Sequence, residues 1–183
     1  MTPQAARVEP FVPAPSEFRS IYEAEFDYVY RSLRRLGAEP RDLNDLVQEV
    51  FLAVHLRLHT YDRGRPIRPW LFGIAFRALS DSGNRSRAHK EVSDAALAQV
   101  GVPPRAEQQI AATEARDVVL QALAHLKPEQ RAVFVMHTLD ECPVPEIARN
   151  LEIPLNTAYS RLRLARVDFV GAVKRLMPSG GVP

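Results

Sequence analysis

The chain has 183 residues, of which 46% are hydrophobic and 25% are charged, so it can bury a core in one domain or in two small ones. This composition excludes a disordered or collagen-like polymer. No apolar run approaches the roughly 20 residues that cross a bilayer, and residues 1–15 lack the charged start and apolar core of a signal peptide. The single cysteine, Cys142, excludes an internal disulfide and a four-cysteine zinc site. We therefore expect a soluble, cytoplasmic protein that does not insert into a membrane on its own.

The charged residues are distributed unevenly. Residues 61–90 contain 7 basic and 2 acidic residues, and residues 154–183 contain 5 basic and 1 acidic residue. Residues 1–60 and 91–153 are net acidic, with 7 basic against 9 acidic and 5 basic against 10 acidic residues. Two separated basic blocks suggest that two modules each contact nucleic acid, although charge clustering on solvated helix faces explains the pattern about as well.

Apolar residues recur every three or four positions along most of the chain, which predicts an all-α fold. In the first half, helices are expected over residues 16–36, 41–58 and from 70 to about 80, with a loop rich in glycine and proline at 61–69. Periodicity is lost over 88–106, and helices resume over 107–126, 128–139, 144–151 and 154–176. The sequence thus predicts two small helical domains, 16–87 and 107–177, joined by a flexible linker at 88–106. Residues 1–15 and 178–183 are expected to be tails, the first of them disordered.

The second domain carries a helix-turn-helix pattern. Ile147, Ala148 and Leu151 face inward on a short helix, residues 152–154 form a tight connection, and a polar helix follows. The polar face of that helix carries Asn156, Thr157, Ser160, Arg161 and Arg163, which would reach base edges or phosphates in the major groove. The alternative is an ordinary helical hairpin.

Several short segments, in order and at the right spacing, carry a resemblance to a known family. In the first half they are DLVQEVF at 45–51 and RPWLFGIA at 68–75, with Asp81 and Arg85 beyond it. In the second half they are LKPEQRAVF at 126–134, EIA at 146–148, SRL at 160–162 and AR at 165–166. With these segments the chain resembles the extracytoplasmic-function (ECF) sigma factors, which are sigma-70-related subunits of bacterial RNA polymerase. The resemblance implies a nonenzymatic initiation factor that binds the clamp helices and flap of core polymerase, promoter DNA and an anti-sigma factor.

The resemblance also implies three groups of site residues. Asp45, Gln48 and Glu49, which share one helix face, would bind core polymerase, although a solvated face is the alternative reading of this pattern. The minus-ten element would be read by Arg63, Arg65, Arg68, Trp70, Arg77, Asp81, Asn84 and Arg85, because cations beside aromatic rings suit unpaired bases. The minus-thirty-five element would be read by Asn156, Thr157, Ser160, Arg161, Arg163 and Arg166.

Some positions depart from the family pattern. Phe76 and Arg77 stand where Arg-Asn is usual, and Pro143 replaces the usual serine or threonine helix cap. Glu152 replaces a glycine that is common in the turn, and Asn156 and Tyr159 stand where glycine and lysine are common. The base preferences of the family therefore do not transfer directly to this chain.

Other functional classes have weaker patterns. His55 and His59 have a spacing that could hold zinc, but no third ligand is evident and the neighbouring leucines, Leu56 and Leu58, suggest packing. We expect no metal, no cofactor and no catalytic group. The main alternative is a stand-alone helix-turn-helix regulator whose first half dimerises or senses a signal. A recombinase would need a nucleophile and acid-base cluster that the sequence lacks.

Overall fold

The structure is a computed structural model that describes residues 15–90 and 107–177, and these two ranges contain helices and no strand. The helices are α1 (Pro15–Leu36), α2 (Leu43–Arg57) with a 3-10 turn (Leu58–Thr60), α3 (Ile67–Lys90), α4 (Glu107–Ala124), α5 (Pro128–Phe134) with a π-helical turn (Val135–Leu139), α6 (Val144–Asn150) and α7 (Leu155–Leu176). The all-α prediction is confirmed. Within the two ranges, no helix combines the length and apolar character that a membrane crossing needs.

Helices α1, α2 and α3 pack together into the first domain. Leu33 of α1, Val50 and Val54 of α2, and Leu71 and Phe72 of α3 are fully or almost fully buried. Burial of each such side chain contributes roughly 1.5–3 kcal/mol relative to exposure, so these contacts hold the three helices together. The apolar face predicted for the second helix is confirmed at all six positions, which are Leu43, Leu46, Val47, Val50, Val54 and Leu58.

Two local expectations for this domain are wrong. α3 continues through the polar segment at 80–83, where a helix end was expected, and the Ser80 hydroxyl donates to the Phe76 carbonyl at 2.8 Å within the same helix. Leu56, expected to pack, is 63% exposed, whereas Leu58 is fully buried. Leu58 lies four residues after Val54 on the buried stripe, whereas Leu56 lies off that stripe.

Helices α4 to α7 form the second domain, in which α7 packs against α4, α5 and α6. Val133, Ile147, Ala158 and Leu162 are buried at its centre. The apolar face predicted for the last helix is therefore confirmed, except that Leu155 is 44% exposed at the first turn.

The end of α1 is closed by a glycine and by an arginine from the other domain. Gly37 has a φ of 96°, and the Ala38 N–H donates back to the Leu33 carbonyl at 3.0 Å, a common helix-ending arrangement. The Arg131 guanidinium donates to the Leu36 carbonyl at 2.8 Å, and also to the carbonyls of Ala124 and Leu126 at the end of α4. One guanidinium thus satisfies carbonyl groups at the ends of helices from both domains.

The two domains contact each other directly. α3 packs against α6, and α1 packs against α4 and α5. The first three residues of the expected linker, 88–90, belong to α3, so the first domain extends slightly further than predicted. Residues 91–106, the rest of the expected linker, lie outside the described part of the chain, as do residues 1–14 and 178–183 of the expected tails. The flexibility of the linker and the disorder of the N-terminal tail stay predictions.

Gly37→Ala should lower the free energy of unfolding by about 1–3 kcal/mol, because alanine is strained at this positive φ and its methyl group would run into the Arg131 guanidinium. Urea unfolding followed by circular dichroism would measure the change. Gly171→Ala, inside α7 with its nearest neighbour at an ordinary 3.5 Å, is the matched control and should not destabilise. Equal effects of the two substitutions would contradict this account of Gly37.

Candidate nucleic-acid interface

One face of α2 presents carboxylates beside exposed leucines. Asp45, Gln48 and Glu49 are all exposed and lie on the side of the helix opposite the buried core positions. The same face continues at Leu52 and Leu56, which are 61% and 63% exposed. The sequence analysis missed the two leucines, although their spacing of three and seven residues from Glu49 places them on this face. Exposed leucines on a rigid helix are typical of a surface that binds another protein.

The helix-turn-helix is formed by α6, a short turn and α7. The Ile153 N–H donates to the Ala148 carbonyl at 2.9 Å, and the Glu152 N–H donates to the Arg149 carbonyl at 3.2 Å, which closes α6. Glu152 has a φ of 56°, a backbone conformation for which glycine is best suited. Glutamate is therefore strained at this position, where the family commonly has glycine. Pro143 precedes α6 and makes no side-chain cap, as expected from the replacement of the usual serine or threonine at this position.

The six residues expected to read the minus-thirty-five element lie together along α7. Asn156, Ser160, Arg163 and Arg166 are exposed, and Thr157 and Arg161 are half-buried. The buried positions of this helix, Ala158, Leu162 and Ala165, lie on its other side. The helix therefore presents a largely polar and basic face, interrupted by the exposed Tyr159, Leu164 and Val167, that can enter a major groove.

Three of the eight residues expected to read the minus-ten element meet in one cleft. Arg65, Trp70 and Arg77, together with Tyr61, line a space of about 400 Å³ between the 61–66 loop, α3 and α6. The Tyr61 and Trp70 ring centroids are 5.1 Å apart. Aromatic faces beside guanidinium groups can hold unpaired bases and their phosphates.

Of the other five, the three that the structure describes lie outside this cleft. Arg63 pairs with Glu17 near the start of α1, with its Nη2 2.7 Å from Oε1. Arg68 pairs with Glu25 at 2.9 Å and lies over the Tyr28 ring, 5.2 Å from its centroid. Asp81 is exposed further along α3, and the side chains of Asn84 and Arg85 lie outside the described part of the structure.

The arginines of this cleft are bonded to carboxylates. Arg65 pairs with Asp62 at 2.8 Å and with Glu146 of α6 at 3.3 Å. Arg77 donates to Glu152 at 3.0 Å and to the Asn150 carbonyl at 3.1 Å, at the carboxyl end of α6. Burial lowers the pKa of Arg77, yet its guanidinium stays charged because an arginine pKa lies far above neutrality. Two cations expected to contact DNA are thus held by the helix-turn-helix domain.

A second contact between the domains centres on Asp140. Its carboxylate accepts hydrogen bonds from the Tyr28 hydroxyl at 2.7 Å and from Arg35 at 3.2 Å. Burial raises the pKa of Asp140, although the Tyr28 hydrogen bond and the positive charges of Arg35, Arg68 and Arg31 act in the opposite direction. The sequence analysis missed these residues, which have no local pattern.

Two further titratable side chains, those of Cys142 and His55, are buried or half-buried. Burial raises the pKa of the Cys142 thiol to about 11, so it is protonated at neutral pH. The His55 ring packs edge-on against Phe18 with centroids 5.0 Å apart. No group of three metal-ligand side chains occurs within the residues that the structure describes.

Family models match both domains. Residues 21–88 match sigma-70 region 2, and residues 116–168 match sigma-70 region 4. Among curated proteins, the sigma factor CnrH of Cupriavidus metallidurans is 30% identical over 145 residues, which cover 74% of this chain and 75% of CnrH. The ECF sigma factor SigM of Bacillus subtilis is 26% identical over 136 residues, which cover 73% of this chain and 80% of SigM.

Two solved structures share the fold. The first is CnrH in complex with the cytosolic domain of CnrY, with a TM-score of 0.61, 21% identity, and coverage of 89% of this chain and 91% of that one. The second is the sigma factor RpoE in complex with the anti-sigma factor NepR from Bartonella quintana, with a TM-score of 0.67, 18% identity, and coverage of 91% and 99%.

Region 2 and region 4 in this order define a sigma-70-type transcription initiation factor. Within that class, the chain belongs to the ECF sigma factors, as its motifs suggested.

Asp140→Asn should change how stability depends on pH. Because the pKa of Asp140 is raised in the folded chain, its protonated form stabilises the fold at low pH, and this contribution is lost as pH rises from about 4 through the raised pKa. The free energy of unfolding of the wild type, relative to Asp140→Asn, should therefore fall as pH rises. Urea titrations between pH 4 and 8 would measure this difference, and Asp168→Asn, at an exposed site on α7, is the control. A difference that rises with pH would contradict the burial account.

Proposed function

We propose that this ECF sigma factor binds core RNA polymerase through the exposed face of α2 and directs it to promoters in the bacterial cytoplasm. The first domain engages the minus-ten element after the strands separate, and the second binds the minus-thirty-five element and the polymerase flap. The chain performs no chemical step itself and needs no cofactor, since the polymerase supplies the catalysis.

The observation that carries this proposal is the α2 face formed by Asp45, Gln48, Glu49, Leu52 and Leu56. Its carboxylates can pair with arginines of a partner, and the leucines can bury apolar surface against the same partner. The sigma-70 region 2 match spans all of α2, which supports polymerase as that partner.

The α7 face supports promoter binding by the second domain. Arg163 and Arg166 are exposed cations suited to phosphates, and Asn156, Thr157 and Ser160 can donate to or accept from base edges. Arg161 lies half-buried between them and can bind either. The exposed Tyr159 adds a large surface where the family commonly has lysine.

Minus-ten recognition is supported by the cleft at Tyr61 and Trp70. The rings can stack on unpaired bases while Arg65 and Arg77 bind the backbone. Arg63, Arg68, Asp81, Asn84 and Arg85 extend this surface in the proposal, along the path of the strand.

We also propose an anti-sigma factor as a partner. The solved CnrH and RpoE structures each contain a regulatory partner, CnrY in one and the anti-sigma factor NepR in the other. A protein that covers the α2 leucines would prevent polymerase binding.

Charge reversal at Asp45 and Glu49 together should weaken binding to core polymerase at least about tenfold, because it places cations against the arginines of the partner. Native gel shifts with purified core polymerase would measure this binding. Glu23→Lys combined with Asp27→Lys, at two exposed positions on α1, changes the net charge equally and should bind like the wild type.

Run-off transcription with core polymerase on a promoter library tests the whole proposal. We expect transcripts from a subset of promoters with the wild type and their loss with the double charge reversal. Tight binding of the chain to duplex operators, without transcripts and without polymerase association, would instead establish a stand-alone regulator.

A further inference from the structure

We propose that the free chain closes on itself, with the carboxylates of Glu146 and Glu152 bound to Arg65 and Arg77 in place of the phosphates of an unpaired DNA strand. The closure is argued from contacts between the two domains. The identity of the excluded ligand rests on the function proposed above.

The geometry of the cleft carries the inference. Arg65 reaches Glu146 at 3.3 Å and Arg77 reaches Glu152 at 3.0 Å, so each carboxylate lies where a phosphate oxygen would bind a guanidinium. Both carboxylates belong to the helix-turn-helix domain and both arginines to the other domain. The side chain of Glu146 is only 20% exposed, and Arg149 of the same helix binds the same carboxylate oxygen at 2.6 Å, so Arg65 shares this carboxylate with Arg149.

Gly73 allows this close approach. It is buried in α3, and a Cβ atom at this position would run into the Asn150 carbonyl oxygen at the end of α6. One helical turn later, Arg77 donates to the same carbonyl. A helix usually disfavours glycine, but here glycine permits the contact between the two domains.

The closed arrangement is incompatible with promoter binding at both elements. The two elements lie about 25 base pairs apart, which at roughly 3.4 Å per base pair is about 85 Å. A compact chain of this length has a radius of gyration of about 16 Å. The domains must separate before they can contact both elements.

The closure affects the proposed surfaces unequally. The α2 face and most of the α7 reading face are exposed, whereas Trp70 and Arg77 are half-buried in the cleft and Arg65 is 41% exposed beside them. Polymerase can therefore reach the closed chain, while the carboxylates of Glu146 and Glu152 compete with phosphates for Arg65 and Arg77 in the cleft. Half-exposed ion pairs are individually weak, so binding to a larger partner can open them.

Gly73→Ala tests the closure with one methyl group. Alanine favours the α3 helix but forces α6 away, whereas Gly83→Ala favours the same helix with nothing within 4 Å of its Cβ. Small-angle scattering would measure the radius of gyration of the free full chain. We expect about 16 Å, allowing for the tails, for the wild type and for Gly83→Ala, and a larger value for Gly73→Ala. An extended wild type, or identical curves for all three, would overturn the proposal.

A second pair of variants tests the role of the carboxylate. Glu152 and Glu141 both have positive φ, 56° and 53°, so glycine relieves strain at either position. Only Glu152→Gly removes an ion pair with Arg77. Fluorescence anisotropy with a labelled single-stranded oligonucleotide of mixed sequence should show about tenfold tighter binding for Gly73→Ala than for wild type, if the closed form is about nine-tenths populated. Glu152→Gly removes one exposed ion pair and should tighten binding by about twofold, whereas Glu141→Gly should bind like the wild type.

The outcomes separate closure from function. Equal oligonucleotide affinity in all variants would overturn the phosphate-replacement role, even if Gly73→Ala expands. If the wild type fails to direct transcription, while scattering shows a closed wild type and an open Gly73→Ala variant, the proposed function is rejected and the closure stands.

Discussion

The contact between Gly73 of α3 and the carboxyl end of α6 allows the two domains of this chain to meet at close range. Without a side chain at Gly73, the Asn150 carbonyl lies against α3 and the Arg77 guanidinium donates to it at 3.1 Å. A cation at the carboxyl end of a helix is favourable because free carbonyl groups concentrate there. The turn that follows places Glu152 at 3.0 Å from the same guanidinium. The geometry of the helix-turn-helix and the position of α3 are therefore coupled at one arginine.

This contact pairs residues from two of the oppositely charged blocks of the sequence. The basic block at 61–90 contains Arg65 and Arg77, and the acidic block at 91–153 contains Glu146 and Glu152. The two blocks face each other across the cleft between the domains. Basic residues that suit a polyanion also suit carboxylates, so the pattern that suggested nucleic acid is compatible with an intramolecular partner at the same atoms. Competition between the two follows from their shared cations.

Local periodicity predicted the helices because α1, α2 and α7 each bury one apolar stripe, and the spacing of that stripe is visible within a few turns. The end of α3 could not be found this way, since a polar residue such as Ser80 lowers helix propensity only weakly and can lie inside a helix that continues. The exposed Leu56 was misjudged because packing was inferred from its residue type, although the spacing of the buried stripe includes Leu58 and excludes Leu56.

The candidate site was predictable only where its residues share one helix. The α2 and α7 faces follow from spacings of three and four residues, and their motifs match sigma-70 regions. The contacts between the domains join residues such as Tyr28 and Asp140, which are 112 positions apart, and no local pattern marks either residue. A buried carboxylate becomes recognisable only when its partners are placed around it. For this reason the sequence predicts what each domain can bind, and only the packed structure indicates that one domain can occupy the binding surface of the other.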